Sequence, residues 1–352
     1  MNINNFTLYK IYRIQEIEKY TKFVKMFNNP EDIRLDMILP NTLLDDFNNT
    51  LEECNQKVCL HDKDHNYRKI FNSILKFLVR IENIKINNLA YKAFSEVEKN
   101  ETIRSNLKLF KPIGGYAKTI KYDLTKTLTG RLVVKSGSPN ILTLPSRCRK
   151  IFESKWSSKG SLLYIDFNSL EPRLARKLLG YEVENDLYQE ILDITGENID
   201  RSIIKKATIS ILYGKTSSLE GISTKKSADI LEKTKNYFQI EKLLTKANNC
   251  VNEIFRTNFY GRPIYNLEEE KENKILNNYL QSSAVDVALQ FFSNMFLDRD
   301  TTLVRPVAVI HDAIIVDVHK DAKQDFINEI KGGFNCLRLG NFPITIEEMN
   351  EN

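Results

Sequence analysis

The sequence lacks any apolar stretch approaching the roughly 20 residues that a helix needs to cross a bilayer, which excludes a helical membrane protein. Its start, Met1-Asn2-Ile3-Asn4-Asn5-Phe6, has neither a basic region nor an apolar one, so no secretory leader is expected. Cysteine is scarce and odd in number, five in 352 residues, which argues against a disulfide scaffold and for a reducing, cytoplasmic setting. Charge of one sign is not in large excess either. Lys and Arg total 51 against 46 Asp and Glu, a net charge of +5, which permits a polyanionic partner without demanding one. With 42% hydrophobic and 28% charged residues, wholesale disorder is excluded. The length suggests about two or three domains or subdomains.

What is present falls into blocks. Residues 1–110 read as polar and helical. Ile70, Phe71, Ile74, Leu75, Phe77, Leu78 and Ile81 recur at helical spacing and predict one core-facing stripe. Cys54, Cys59, His61 and His65 invite a test as a zinc site. A single residue between Cys59 and His61 leaves no room for the ligand pairs to fold back around a tetrahedral metal, so they read as ordinary loop residues. Residues 111–150 turn to glycine, proline and small polar residues with basic ones interleaved, including Thr129-Gly130-Arg131-Leu132 and Pro139-Asn140. Such a segment suits a surface connection or a loop lying against a nucleic-acid backbone.

The chain then reaches Leu162-Leu163-Tyr164-Ile165-Asp166-Phe167-Asn168-Ser169-Leu170-Glu171-Pro172-Arg173. A run of strand formers ends on a carboxylate, and a second acid follows five residues later. Asp166 either holds a metal at a cleft or simply ends a strand in water. From about residue 181 helix returns. Arg201, Lys205, Ile209 and Tyr213 are spaced by four and share one helical row, which Gly214 ends. Two cations followed by an apolar residue and a ring suit a polyphosphate with a base beside it, or a solvated basic face. Gly261-Arg262-Pro263 signals a turn, and Glu268-Glu269-Glu270 a helix start. Asn277 and Gln281 are four apart on that helix, and their amides can donate and accept. Two apolar runs flank His311-Asp312, predicting a hairpin with both polar residues at its tip. A helix near 321–333 and a strand near 342–346 close the chain.

In this order the segments resemble the family A DNA polymerases, over roughly residues 110–346. Asp166 to Arg173, DFNSLEPR, is similar to the family's motif A. Arg201 to Gly214 is similar to motif B, His311-Asp312 to motif C, and Thr129 to Leu132 with Pro139-Asn140 to the elements preceding motif A. The resemblance implies an α+β fold, a right-hand polymerase with an antiparallel palm sheet, helical fingers and a reduced helical thumb. Its parts would be a thumb-like region over 1–110, palm over 111–180 and 286–352, and fingers over 181–285.

It also implies template-directed DNA synthesis by two-metal nucleotidyl transfer, with two divalent ions about 3.5–4 Å apart. Asp166, Asp312 and the Phe167 carbonyl would be the metal ligands, for Mg²⁺ or a substituting Mn²⁺. Arg201 and Lys205 would bind the triphosphate, Lys205 also donating a proton to the pyrophosphate. Ile209, Tyr213 and Gly214 would lie at the nascent pair, and Glu171 would close the space beside the sugar 2′ position. Arg131, Asn277 and Gln281 would contact the duplex, and His311 the primer terminus. The expected partners are primer-template DNA and dNTPs, with a separate exonuclease, helicase or processivity factor. A monomer in the host cytoplasm, without its own proofreading, is expected, and the shortness and divergence point to a phage.

The family pattern fails in places. Asn168 stands at the motif A serine, Ile209 at an aromatic, Ala313 at the acid after His-Asp, and Tyr188 at a phosphate-binding histidine. Leu142 and Thr143 replace an amide pair. Two rivals follow: a ribonucleotide-using relative, which Glu171 opposes, and a catalytically silent DNA-binding accessory, which the retained Asp166 and Asp312 oppose.

Overall fold

The computed structural model describes residues 4–20, 39–61, 66–183, 186–195, 199–214, 219, 221–249, 255–265 and 271–349. The apolar run before Asp166 forms strand β5 (Gly160–Phe167), in a four-stranded antiparallel sheet with β8 (Val304–Ile310), β9 (Ala313–His319) and β12 (Ile344–Glu348). The order is β12-β5-β9-β8. Every residue of β8 is buried, as is β9 up to Val318, which is why both read as apolar runs, each broken by one buried charge, Arg305 and Asp317, which pair with each other at 3.2 Å. Along β5 the side chains alternate. Leu163, Ile165 and Phe167 are buried, while Tyr164 and Asp166 are half-buried.

Before the sheet come α1 (Asn4–Ile11), α2 (Asn41–His61), α3 (Asn66–Val79), β1 (Lys85–Ile86), α4 (Asn88–Val97) and α5 (Glu101–Leu109). The expected stripe lies on α3. Phe71, Ile74 and Phe77 are buried, and Phe77 packs against Phe292 and Phe296 at 6.3 and 6.0 Å between ring centroids. Asn87 and Asn100 start α4 and α5 by accepting from two backbone N–H groups each. Cys54 and Cys59 correct one reading. They sit on helix α2 rather than in a loop, because the apolar spacing of that segment continues through them. His65 lies outside the described residues.

Residues 111–150 are tied down rather than loose. Strands β2 (Tyr122–Asp123) and β3 (Val133–Val134) pair with each other, and β4 (Phe152–Glu153) pairs with β1. The Tyr122 hydroxyl donates to the Val309 carbonyl and accepts from the Val309 N–H, both at 2.8 Å, fixing this segment to β8. Asn106 of α5 donates to the Asn140 carbonyl at 2.7 Å and to Thr143 at 3.1 Å.

After β5 come α6 (Leu170–Leu178), then α7 (Leu187–Thr195), α8 (Arg201–Leu212), α9 (Thr224–Phe238) and α10 (Ile240–Asn249). The hairpin of β6 (Phe255–Thr257) and β7 (Pro263–Tyr265) carries the Gly261-Arg262 turn. Next is α11 (Glu272–Phe296), whose 25 residues run unbroken across the boundary expected between 285 and 286, so that division cuts a helix. The acidic run at 268–270 lies outside the described residues. The chain ends with α12 (Lys320–Ile330), the hairpin of β10 (Phe334–Cys336) and β11 (Gly340–Phe342), and β12, separated from β11 by Pro343. Buried apolar residues from Leu8 to Phe342 form one cluster, so the N-terminal helices share a core with the sheet.

Buried charge holds the segment preceding β5. Arg262 is almost fully buried and donates to the Leu124 carbonyl at 2.9 Å. One of its nitrogens lies 3.6 Å from Asp286, which also accepts from Asn258 at 2.6 Å. Burial pushes the Asp286 carboxyl up to about 6. Gly130, at φ +77°, packs directly on this guanidinium: a Cβ there would sit 2.2 Å from Arg262 Cζ. Gly137 has a similar φ of +80° but open space around it. Gly130→Ala therefore adds a clash to the left-handed backbone cost and should destabilise by about 3 kcal/mol or more, against about 1–2 kcal/mol for Gly137→Ala. Urea unfolding of both variants checks this, and equal losses would show that Arg262 moves aside freely.

Candidate active site

Two local structures bring the acids together. Asp166 is the penultimate residue of β5 and is paired in register with Ala313, the first residue of β9. Asp312 immediately precedes Ala313, in the two-residue turn that joins β8 to β9 after Ile310. His311, the first turn residue, has φ +56°, a region uncommon for a residue with a side chain but one that matches tight hairpins to strand twist. The sheet register thus sets one carboxylate diagonally beside the other, at the end of adjacent central strands.

The electrostatics follow from that placement. Burial, then the charge of Asp312, pushes the Asp166 carboxyl up to about 6. Burial also raises Asp312. Burial lowers His311, and the nearby Arg131 charge lowers it further. A group of three or more His, Cys, Asp or Glu side chains able to hold a metal is absent among the described residues. The described residues therefore offer two crowded carboxylates at adjacent strand ends. Oxygen donors few in number, with like charges already repelling, fit a hard divalent cation that keeps waters and phosphate oxygens in its own shell.

The turn after β5 is built around Asn168 and Ser169. Asn168 accepts from the Thr345 hydroxyl at 2.6 Å, and its N–H donates to the Pro343 carbonyl at 3.0 Å. Ser169 is left-handed, at φ +55°, and its hydroxyl meets that of Tyr188. Arg173, buried on α6, donates from Nε to the Asn168 carbonyl at 2.9 Å and from Nη1 to the Val183 carbonyl at 2.6 Å. It fastens the turn that ends the Asp166 strand to the segment leading into α7.

Glu171, on the first turn of α6, is held from two sides. It accepts from the Tyr213 hydroxyl and from Arg131 Nη2, the latter at 3.2 Å. Burial raises the Glu171 carboxyl, while both partners oppose that rise. A cavity of about 30 Å³ joins Arg131, Glu171, His311 and Asp312 over the apolar floor of Ala284 and Ala288. Gln281 accepts from Thr129 at 2.8 Å and also meets the Tyr213 hydroxyl. Asn277 lies one turn earlier on α11, and its side-chain oxygen is buried without a partner.

On α8, Arg201, Lys205 and Ile209 are exposed along one row, and Tyr213 is half-buried at its end. Lys205 is near enough for its charge to act on Asp166. Gly214, at φ +66°, meets Asn273 so closely that a Cβ would lie 2.1 Å from the Asn273 Cβ. Arg201 is not free: its Nε and Nη2 donate to the two oxygens of Asp186 at 2.9 and 3.1 Å. Its guanidinium also lies over the Tyr188 ring, 4.9 Å from the centroid. Sequence reasoning passed over Asp186. Its signal was Asp186-Leu187-Tyr188-Gln189, an acid three residues before an amide at a helix start. The contacts of Thr129 with Gln281, of Arg173 with two backbone carbonyls and within the Asn258–Arg262–Asp286 group carried no comparable sign, because their partners are backbone carbonyls or side chains on other elements.

No protein-family model and no curated protein matches the sequence. Among solved structures, the chain is similar to the POL domain of Pol1 from M. smegmatis, solved in complex with DNA primer-template and dNTP, with a TM-score of 0.56 and 17% identity. The match covers 70% of this chain and 50% of that one, so the chain spans about half the length of the structure it resembles. The fold is therefore that of a polymerase domain: a mixed helix-and-sheet right hand with an antiparallel palm sheet. Among the described residues no helix is long and apolar enough to cross a membrane.

If repulsion contributes to the Asp166 shift, Asp312→Asn moves the Asp166 titration down from about 6 while burial keeps it above the ordinary value of 3.8. Carboxyl NMR on metal-free protein measures it; an unmoved midpoint would mean that burial alone sets the shift.

Proposed function

We propose that the chain is a template-directed DNA polymerase of the family A type, phage-like and divergent, adding dNTPs to a primer 3′ end. The single observation that carries this reading is the convergence of Asp166 and Asp312 at adjacent strand ends, with Lys205 of the cationic α8 row near Asp166, within a polymerase fold. Asp166, Asp312 and the Phe167 carbonyl would hold two Mg²⁺ ions, or Mn²⁺ in their place, whose charge would activate the 3′-hydroxyl and neutralise the leaving pyrophosphate.

The chain's own residues do the rest. Arg201 and Lys205 bind the triphosphate, and Lys205 hands a proton to the departing pyrophosphate. Tyr213 and Arg131 hold Glu171 against the sugar 2′ position, where a hydroxyl would clash. Ile209 offers an apolar surface in place of a ring, so the nucleotide base is gripped by less stacking. Arg131, Asn277, Gln281, His311 and Gly214 face the primer-template. The division into a reduced thumb, palm and fingers belongs to the same reading, as do the missing proofreading activity, a separate exonuclease, helicase or processivity factor as partner, a monomeric state and a cytoplasmic location.

Primer extension tests it. Wild type should extend a primer with dNTPs and Mg²⁺ and not with NTPs, and Asp312→Ala should abolish extension by about 10³-fold or more, since removing a metal ligand removes several kcal/mol of charge stabilisation. Extension with NTPs would favour the ribonucleotide-using relative. No extension with any divalent metal would leave the silent accessory.

A second measurement needs no turnover. A carboxyl that titrates near 6 must lose its proton to bind a cation. In the metal-free protein this raised group favours the fold at low pH, and that contribution is lost as pH rises through about 6. Mg²⁺ should therefore raise the melting temperature above about pH 7, and the gain should fade as pH drops through about 6. Asp166→Asn should show no gain at any pH. A Mg²⁺ gain that ignores pH would separate Asp166 from the metal.

A further inference from the structure

We propose that Asp186 is a positioning residue for the polyphosphate end of the nucleotide. It grips one edge of the Arg201 guanidinium so that the other edge is presented to the terminal phosphate. The inference rests on the reading of this chain as a nucleotidyltransferase, but its geometry is independent of the two metal carboxylates.

Asp186 is a fixture rather than a gate. Its Oδ1 accepts from the Tyr188 N–H at 3.0 Å, and its carbonyl accepts from the Gln189 and Glu190 N–H groups at 2.9 and 3.1 Å. The start of α7 therefore fixes both its backbone and its carboxylate. Against it, Arg201 makes the fork-to-fork contact through Nε and Nη2. The Tyr188 ring supports the guanidinium from one face, and its hydroxyl is engaged with Ser169, on the turn after β5. Arg201 thus rests on a ring anchored beside the strand end that bears Asp166.

A guanidinium has five N–H donors. Two are spent on Asp186, which leaves one hydrogen of Nη1 and the second hydrogen of Nη2 side by side on the outer edge. The side chain is 54% exposed, so much of it reaches solvent. Lys205 is exposed one turn later on the same row of α8. A planar two-donor edge followed by an ammonium matches a chain of phosphates, with the fork on a terminal phosphate and the point charge on an inner one. Without Asp186 the long Arg side chain would have to be ordered when the nucleotide binds, and that entropy would be subtracted from affinity.

The pair is exposed on both sides, and such surface ion pairs contribute little to folding. It can therefore be removed without unfolding the protein. Asp186→Asn is the discriminating variant. Asparagine caps a helix start as well as aspartate does, so α7 keeps its cap while Arg201 loses its carboxylate. Two readouts apply: dNTP KM and kcat on a primer-template, and calorimetric binding of inorganic tripolyphosphate. With positioning lost, KM and the tripolyphosphate Kd should each rise about tenfold, with kcat within about twofold, because the contact is made equally in ground and transition states. In an Arg201→Lys background, Asp186→Asn should add nothing further to either value.

An unchanged KM and Kd in Asp186→Asn would show that Asp186 only caps α7, and would overturn the proposal. Tighter tripolyphosphate binding would also overturn it, since the carboxylate would then be a competitor for Arg201. If wild type extends no primer, the polymerase reading falls, yet the tripolyphosphate comparison still decides the role of Asp186.

Discussion

The antiparallel register of β5 and β9 is the constraint on which the rest depends. Pairing Asp166 with Ala313 places Asp312 beside Asp166, and two carboxylates crowded at a half-buried strand end repel. Left to itself, the chain would relieve that repulsion by slipping or by opening the turn. A slip of one residue would throw the buried face of β5 into water, so the apolar alternation of Leu163, Ile165 and Phe167 locks the register. The packing of Phe167 on Phe291 and Phe292, at 5.3 and 6.2 Å between centroids, locks it further. Hydrophobic burial thus holds an electrostatically unfavourable pair in place.

Buried arginines carry the load next to that sheet. Arg305 on β8 reaches Asp317 on β9, Glu82 after α3 and the Asn83 carbonyl, while Asp317 also accepts from Ser154 and the Lys155 N–H. Arg262 joins the β6–β7 turn to the Leu124 carbonyl and Asp286, and Arg173 joins the Asn168 turn to Val183. Each uses the forked donors of arginine to tie two or more segments at once, which a lysine point charge does poorly. Losing one partner of such a buried pair leaves a charge uncompensated and costs about 3–5 kcal/mol. These ties specify which surfaces meet, and so where Asp166, Glu171 and Arg201 stand relative to one another.

What the sequence disclosed and what it hid divide along the same line. The stripe on α3, the hairpin at His311-Asp312 and the row on α8 were legible because each is a local periodicity. The Asp166 strand was legible as an apolar run that stops on an acid. The order of the sheet was not, since nothing local says that β12 borders β5. The roles of Arg262, Arg173 and Tyr122 were hidden for the same reason: their partners are a carbonyl at 124, another at 168 and an N–H at 309. Backbone groups are present at every position and leave no mark in a sequence. Cys54 and Cys59 show the converse error, in which residues of conspicuous chemistry drew attention while the helical spacing around them decided the structure.

The departures from the pattern the sequence resembles fall into place by location. Asn168, Ala313 and Tyr188 all lie around the ends of β5 and β9, and two of them have found structural partners. Asn168 bonds Thr345 across to β12, and Tyr188 lies under Arg201 while bonding Ser169. Ala313 removes an acid from a place already holding two, which lowers the repulsion the sheet must resist. Ile209 is different. It stands on the open row of α8, 40% exposed. An apolar side chain held in water between Lys205 and Tyr213 gains burial only when something covers it. A nucleotide base entering along the cationic row would supply that cover by area alone, without the directional stacking of an aromatic ring. On the proposed polymerase reading, selection at this position would rest on shape and on Glu171, which accepts from Tyr213 and Arg131, so the rigidity of that carboxylate would matter more here than beside an aromatic ring.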